Sequence, residues 1–556
     1  MGLAHTGQDE SGRDAMIEST PPGAQGAEPI APLDIEARAL AFTDTESAKH
    51  WARTLPLTNI SFVCETVQGQ LKALSSAAFP ARERATIAEV LRDLIAYLHT
   101  ELARRYAGKG QPTVDREYEA ASHAIALWQG LWEQYSACLK PLLEGDPELA
   151  GVKPKILQRG VYVGKQLVLV HGLARRTVPK AIWHELHAYF RLAEMLECAV
   201  TAVSDNLIPN AVGISCYSTY SHALLLGLAD PCAMSVKQIE LTDRWLAMWA
   251  RKVFPYGRER ETEGPIVLID LDGESGATLV PGVPRDAADS MRFGYPAKLA
   301  TSVRGRLKRL QTGASPAELQ LGHDCSAEQC TTLLGHLDAR WYQLSRRSTE
   351  VEAATIEVCA GGLPAAYFRV GGRTFERKDP AERLSVEDTK QLQIIAPVPD
   401  YDRGRDDAER DWAWERWHGA YELRDATLTR SSDPVHRWSL DQLAIVRHGN
   451  RLRVGYVTRV AADGLDALAM SLHLWSGVPR AVALRPLSAA GSEDAPLPAL
   501  LLDEAPDDKA CLVLPPRSFN PSRVLRSLDA GERRYRLVRL LQRGTDFERV
   551  AFEETT

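Results

Sequence analysis

The chain has 556 residues, 45% of them hydrophobic, enough material for about three to five domains with real cores and too apolar to be disordered throughout. A formal net charge of −7 and a pI near 6.1 exclude a global electrostatic attraction to nucleic acid or acidic lipid, so any such binding would have to be local. Nine cysteines, odd in number and set mostly among apolar neighbours, point to a reducing compartment. No run reaches about 18 apolar residues, and the first thirty lack the apolar core of a secretory signal. A cytoplasmic protein with no membrane insertion is expected.

Residues 1–33 are rich in Gly, Pro, Ser and Glu, a composition expected to give a disordered tail. From 34 to 254 the apolar spacing is helical. Ile87, Val90, Leu91, Leu94, Ile95, Leu98 and Leu102 fall at steps of three and four, which predicts a long amphipathic helix. Similar segments at 58–76, 114–143, 155–171, 179–203, 215–228 and 236–252 predict a helical bundle or irregular solenoid, because each apolar face needs a neighbour. Residues 255–378 read as a small mixed α/β domain. It would hold a buried strand at 265–272, helices at 297–312 and 326–346, and strands Ala354–Cys359 and Ala366–Val370 around Gly361-Gly362. A charged linker is expected at 379–411. From 412 to 556, short strands recur at 8–12-residue spacing with turn glycines between them, which predicts a single domain built as an antiparallel β-barrel or sandwich. The fold class is therefore multidomain α+β.

Enzyme signatures are weak. The chain has no G-x-S-x-G, no Walker A run and no G-x-G-x-x-G opening a helix, and the protein reads as non-enzymatic. Asp270 and Asp272, at the end of a buried strand, read as a capping turn before they read as an acid and base. His184 and His187 in WHELH share a helix face with Glu194, but their three-residue step departs from the four-residue zincin spacing. His323, Cys325, Cys330 and His336 in GHDCSAEQCTTLLGH supply the ligand types of tetrahedral zinc at a spacing that does not suit it, so no metal or cofactor is assigned. Eight arginines against two acids lie in 516–545. They read as a coat on strand edges before they read as a phosphate site, and no nucleic-acid role is expected.

The layout, a long helical half, a mixed middle segment with Cys359-Ala-Gly-Gly-Leu363 ahead of a strand and a terminal barrel, resembles a family of large proteobacterial proteins with a PilZ-like C-terminal region. That resemblance implies a six-stranded barrel able to bind cyclic di-GMP through an R-x-x-x-R segment ahead of the barrel and a D/N-x-S-x-x-G run on an early strand. The positions corresponding to the first motif are Arg403, Arg405 and Arg410 in DRGRDDAERDWAWERW, none of them in R-x-x-x-R spacing. The second corresponds to Asp425-Ala-Thr427-Leu-Thr-Arg430, where Thr replaces Ser and Arg replaces Gly. A glycine there would let the backbone approach the nucleotide, whereas an arginine would crowd it. Two functions follow from the resemblance. One is a cyclic di-GMP effector whose barrel senses the nucleotide while the helical half engages a protein partner. The other is a degenerate barrel that serves only as a protein-interaction scaffold.

Overall fold

The computed structural model describes residues 39–556 except 209–212, 254, 258–263, 345–352, 376–408, 410, 423, 431–434, 464–466, 488–494, 507, 530–532 and 556. The expected tail and most of the expected linker lie outside the described residues. Among the described residues nine α-helices come first: α1 (Thr45–Thr54), α2 (Ile60–Ser76), α3 (Ala81–Tyr106), α4 (Asp115–Ser136), α5 (Leu139–Leu143), α6 (Lys153–Leu173), α7 (Lys180–Met195), α8 (Cys216–Leu228) and α9 (Val236–Trp249). The α3 stripe is confirmed, with Ile87, Leu91, Ile95, Leu98 and Leu102 all buried. Helix α6 is buried on nearly every side between α4, α7 and α8. It achieves this with glycines: a Cβ on Gly160 would lie 1.9 Å from the Tyr189 ring, and one on Gly164 would lie 2.6 Å from Leu186. The sequence reading missed α1, whose apolar residues are few; its start is fixed by a capping box between Asp44 and Ser47.

A small antiparallel sheet follows, of β1 (Pro255–Tyr256), β2 (Ile266–Asp270), β3 (Thr278–Val280) and β4 (Met291–Gly294) in the order β1-β4-β2-β3. Then come α10 (Ala297–Gln311) and α11 (Ala327–Tyr342). Many of their buried side chains join the same hydrophobic core as the first nine helices.

Among the described residues the remainder holds two closed six-stranded antiparallel barrels, where the resemblance implied one. Barrel 1 uses β5 (Ala353–Cys359), β6 (Glu415–Tyr421), β7 (Asp425–Arg430), β8 (Leu443–His448), β9 (Arg451–Asp463) and β10 (Ala467–Leu474), closed in the order β10-β7-β6-β5-β8-β9. Barrel 2 uses β11 (Pro479–Pro486), β12 (Leu497–Leu502), β13 (Cys511–Leu514), β14 (Val524–Ser527), β15 (Arg534–Arg543) and β16 (Glu548–Thr555), closed in the order β11-β12-β13-β16-β15-β14. Strand β5, placed by the sequence reading in the mixed domain, is a stave of barrel 1. The expected strand at Ala366–Val370 is instead part of helix α12 (Gly362–Gly371). A short apolar run does not distinguish a buried strand from a buried helix. Here the surroundings favour the helix, because α12 is covered by β8 of barrel 1 and by β11 and β12 of barrel 2. Gly361 and Gly362, at φ 115° and 63°, turn the chain out of β5 into it.

Barrel 1 is joined to the helical half by main-chain hydrogen bonds. The Gln111 and Trp438 backbones exchange bonds of 2.8 and 2.7 Å, and Ala462 at the end of β9 bonds to Arg175 and Thr177 at 2.8 and 2.9 Å. The segment after α6 thus extends the barrel sheet at β9.

Candidate functional site

Side chains alternate along a strand, so the run Asp425–Arg430 divides between two faces of β7. Asp425 and Thr427 point out, while Ala426, Leu428 and Arg430 point into the barrel. Arg430 is buried there, its guanidinium 2.7 Å from Glu415 and 5.2 Å from the centre of the Trp417 ring. Glu415 also accepts from the backbone N–H groups of Val435 (2.8 Å) and His436 (2.6 Å) and from the indoles of Trp417 (3.2 Å) and Trp438 (2.9 Å). Burial alone would raise its carboxyl pKa, but the hydrogen bonds from His436, Trp438 and Arg430 outweigh burial and hold it below the ordinary range. The structure therefore does not place Arg430 beside Asp425 and Thr427. Arg403, Arg405 and Arg410 lie outside the described residues. An R-x-x-x-R spacing does occur at Arg373 and Arg377; the Arg373 guanidinium is 3.1 Å from Asp529 of the barrel 2 region.

The outward face of β7 leads across the barrel to the helical half. Thr427 is opposite Ser471 on β10, and Ser471 is opposite Arg459 on β9, where a register shift marks a bulge. The three side chains share one outer row, with neighbouring strands about 4.8 Å apart. At the foot of Arg459 is a cleft of about 240 Å³ between barrel 1 and the helices, walled by Arg176, Trp183, Asp230, Cys232 and Arg459. Trp183 forms one side because residues 227 and 276 are glycine; a Cβ at either would lie 2.9 Å from the indole.

The charges of this cleft do not balance. Asp230 is shared by Arg459 (3.1 Å) and Arg340 (2.6 Å). Arg176 has no carboxylate within ion-pair distance among the described residues and lies over the Tyr118 ring at 5.1 Å. Behind it, buried Arg175 reaches only a carbonyl, that of Cys232 at 3.1 Å, and burial lowers its pKa. Of the charged residues that line the cleft, Arg176 and Arg459 thus face one carboxylate, Asp230, while Arg175 has Asp441 as a nearby charge. Arg175 (φ 52°) and Asp230 (φ 56°) both hold left-handed backbone without being glycine, a strain that collects at functional sites. Paired guanidinium donors beside aromatic faces suit a ligand with phosphates and flat rings. The sequence reading missed Arg176, Asp230 and Trp183; the Arg175-Arg176 pair directly after an apolar helix was the one local signal, and it does not reveal which strand faces it.

The other candidates have structural partners. Asp270 accepts from the Ser290 hydroxyl at 2.7 Å and from the Asp272 N–H at 3.1 Å, and Asp272 pairs with Arg191 at 2.5 Å, as a capping turn requires. His187 is buried between the Tyr220 hydroxyl (2.6 Å) and the Ser275 carbonyl (2.8 Å), and burial lowers its pKa. His184 is exposed, and Glu194 pairs with Arg292 at 2.9 Å. The zinc-like quartet does not converge: Cys325 and Cys330 meet, His336 donates to the Ala229 carbonyl at 2.8 Å, and His323 is exposed. Among the described residues no group of three ligating side chains could hold a metal. Several C-terminal arginines form ion pairs with acids of the same barrel, including Arg533 with Glu554, Arg536 with Glu553 and Arg543 with Glu548.

Two family models match this chain, "Cyclic-di-GMP receptor FimW, N-terminal domain" over residues 46–254 and "FimW C-terminal beta-barrel domain" over residues 482–555. Together they span about half of its length. The chain belongs to the FimW family. The second model coincides with barrel 2. The cyclic-di-GMP receptor FimW of Pseudomonas aeruginosa (strain PAO1) is 22% identical over 411 residues, which is 71% of this chain and 65% of that protein. The match therefore spans just under two thirds of the relative. No solved structure matches. Among the described residues, no helix is long and apolar enough to cross a membrane.

Proposed function

We propose that this protein is a non-enzymatic cyclic di-GMP effector of the cytoplasm. Its barrel 1, PilZ-like in strand number and closure, takes the dinucleotide on the outer face of β7, β10 and β9, against the cleft of the helical half. The observation that carries this reading is the cleft that Arg176 and Arg459 line with a single carboxylate, Asp230, continuous through Ser471 with the outward Thr427 of the D-x-T run. A dianionic ligand with two purines would complete that charge: Arg176 and Arg459 take phosphate, Trp183 or Tyr118 offers a ring face, and Asp230 accepts from a guanine edge. Arg403, Arg405 and Arg410, shortly ahead of β6 in the sequence, are the proposed second arginine group. The name of the Pseudomonas relative supports the ligand class, and nine unpaired cysteines support the compartment.

The helical half is the proposed contact for a protein partner, and it leaves large apolar side chains such as Met195 and Val200 exposed. Because it is hydrogen-bonded to the barrel at the cleft, a ligand filling the cleft would act on both bodies at once. Calorimetric titration of the full chain with cyclic di-GMP is expected to saturate, and Arg459→Ala or Asp425→Ala to weaken binding. Absence of heat up to about 100 μM nucleotide would refute the receptor reading and leave the barrels as a scaffold.

A further inference from the structure

The nine cysteines, all within the described residues, include one pair in direct contact: the sulfurs of Cys325 and Cys330 are 2.8 Å apart. Cys325 is the one cysteine with intermediate exposure; the other eight are buried. Cys325 immediately precedes Ser326, the N-cap of α11, and Cys330 lies in the first turns of that helix. The amide dipoles of a helix start favour negative charge on a neighbouring sulfur. Positive charge is also supplied from α9, where Arg244 and Lys237 converge on Asp324, the residue just before Cys325. A cavity of about 430 Å³, lined by Arg244, Met248, Leu321 and Asp324, borders the segment that immediately precedes Cys325. Burial pushes the Cys330 thiol up to about 12, and Cys325, the more exposed of the two, is the sulfur that an oxidant in solution meets first.

We infer that Cys325 and Cys330 are a thiol modification site that closes to a disulfide when it meets a low-molecular-weight disulfide of the glutathione class. The Cys325 thiolate attacks one sulfur of the oxidant, forming a mixed disulfide and expelling one thiolate. Cys330 then loses its proton, its sulfur attacks that of Cys325, and the second thiolate leaves. The oxidant gains two electrons and two protons to give two thiols, and the protein loses two hydrogens. The sulfurs need to approach by less than about 1 Å to reach the covalent length of about 2.0 Å. The new bond joins the 321–325 loop, whose Leu321 carbonyl accepts from Trp245 at 2.9 Å, to α11. The far end of α11 carries His336 and Arg340, which hold Ala229 and Asp230 beside the cleft. This inference is independent of which ligand the cleft takes.

The test uses the full, reduced chain, treated with oxidised glutathione, quenched in acid, unfolded, alkylated with N-ethylmaleimide and digested with trypsin. Both cysteines fall in one tryptic peptide, 310–340. That peptide is expected to carry no alkyl group and to be two hydrogens lighter than its reduced form, while the other seven cysteines are alkylated. Cys330→Ser is expected to keep one glutathionyl group on Cys325, and Cys325→Ser to keep none on Cys330. Two alkyl groups on the wild-type peptide after treatment, or a glutathionyl group found on Cys330 in place of Cys325, overturns the proposal. The wild-type result does not depend on any variant folding.

Discussion

Arg176→Ala removes the cleft guanidinium that lacks a carboxylate partner among the described residues, and its two consequences differ in size. In the free protein the side chain gives up its stacking on Tyr118 at 5.1 Å, about 0.5–1 kcal/mol for a partly exposed cation over a ring. The Arg176 main chain, whose N–H donates to His171 at 2.9 Å, is unaffected. The fall in Tm should not exceed about 2–4 °C. In the complex, the loss is a charge-assisted hydrogen bond to phosphate, about 1.5–3 kcal/mol, or roughly 10- to 150-fold in Kd. Calorimetric titration with cyclic di-GMP alongside a thermal melt separates the two. Unchanged affinity in a variant that melts like the wild type would refute the assignment of phosphate to this cleft. A drop in Tm well beyond the stated range would show instead that Arg176 is part of the framework. Arg459→Ala is a companion, because Asp230 keeps Arg340 at 2.6 Å and the carboxylate is not left alone.

Two further predictions concern ion pairs, one inside barrel 1 and one inside the helical half. Glu415→Ala leaves the Arg430 guanidinium inside barrel 1 without its counter-ion and deprives two backbone N–H groups and two indoles of an acceptor. A loss of about 3–5 kcal/mol is expected in urea denaturation, partly recovered by the double variant Glu415→Ala/Arg430→Met; a loss under about 1 kcal/mol would show that the barrel does not depend on the pair. In the helical half, Glu89 faces Arg159 (2.9 Å) and Lys155 (2.8 Å), and these cations, against the opposing effect of burial, lower its pKa to about 2. A carboxylate depressed in the folded state contributes stability that is full above its unfolded pKa near 4.5 and is lost as pH falls toward 2. That lowering corresponds to about 3 kcal/mol. Urea midpoints measured between pH 6 and pH 2.5 should therefore fall more steeply for wild type than for Glu89→Gln, and parallel curves would contradict this.

Much of the helical half was legible because a helix must bury one face wherever it packs. The Ile87–Leu102 stripe needs no knowledge of its partners to be recognised. Arg92, on the same helix, shows the limit: by residue type it reads as solvated, yet it is 1% exposed because Asp205 and Asn206 close over it at 2.8 and 2.6 Å. Those partners lie more than a hundred residues away, and nothing local announces them. The barrel strands were mostly legible by their alternation and turn glycines, but their count and closure were not. Strand β5 pairs with β6 across the segment 360–414, and α12 occupies the space between the barrels that a strand reading of Ala366–Val370 would have left empty.

The site divides in the same way. Composition and spacing settle that Asp425 and Thr427 share a face of one strand, since side chains repeat every second residue; the same period already sends Arg430 to the other face. Only the tertiary structure decides that this face continues through Ser471 to Arg459, and that Arg459 pairs with Asp230 and shares a cleft with Arg176 of the helical half. Periodicity fixes which way a side chain points relative to its own backbone. Which distant charges it meets depends on how the barrel closes and where the helices dock, and those are properties of the whole packed chain.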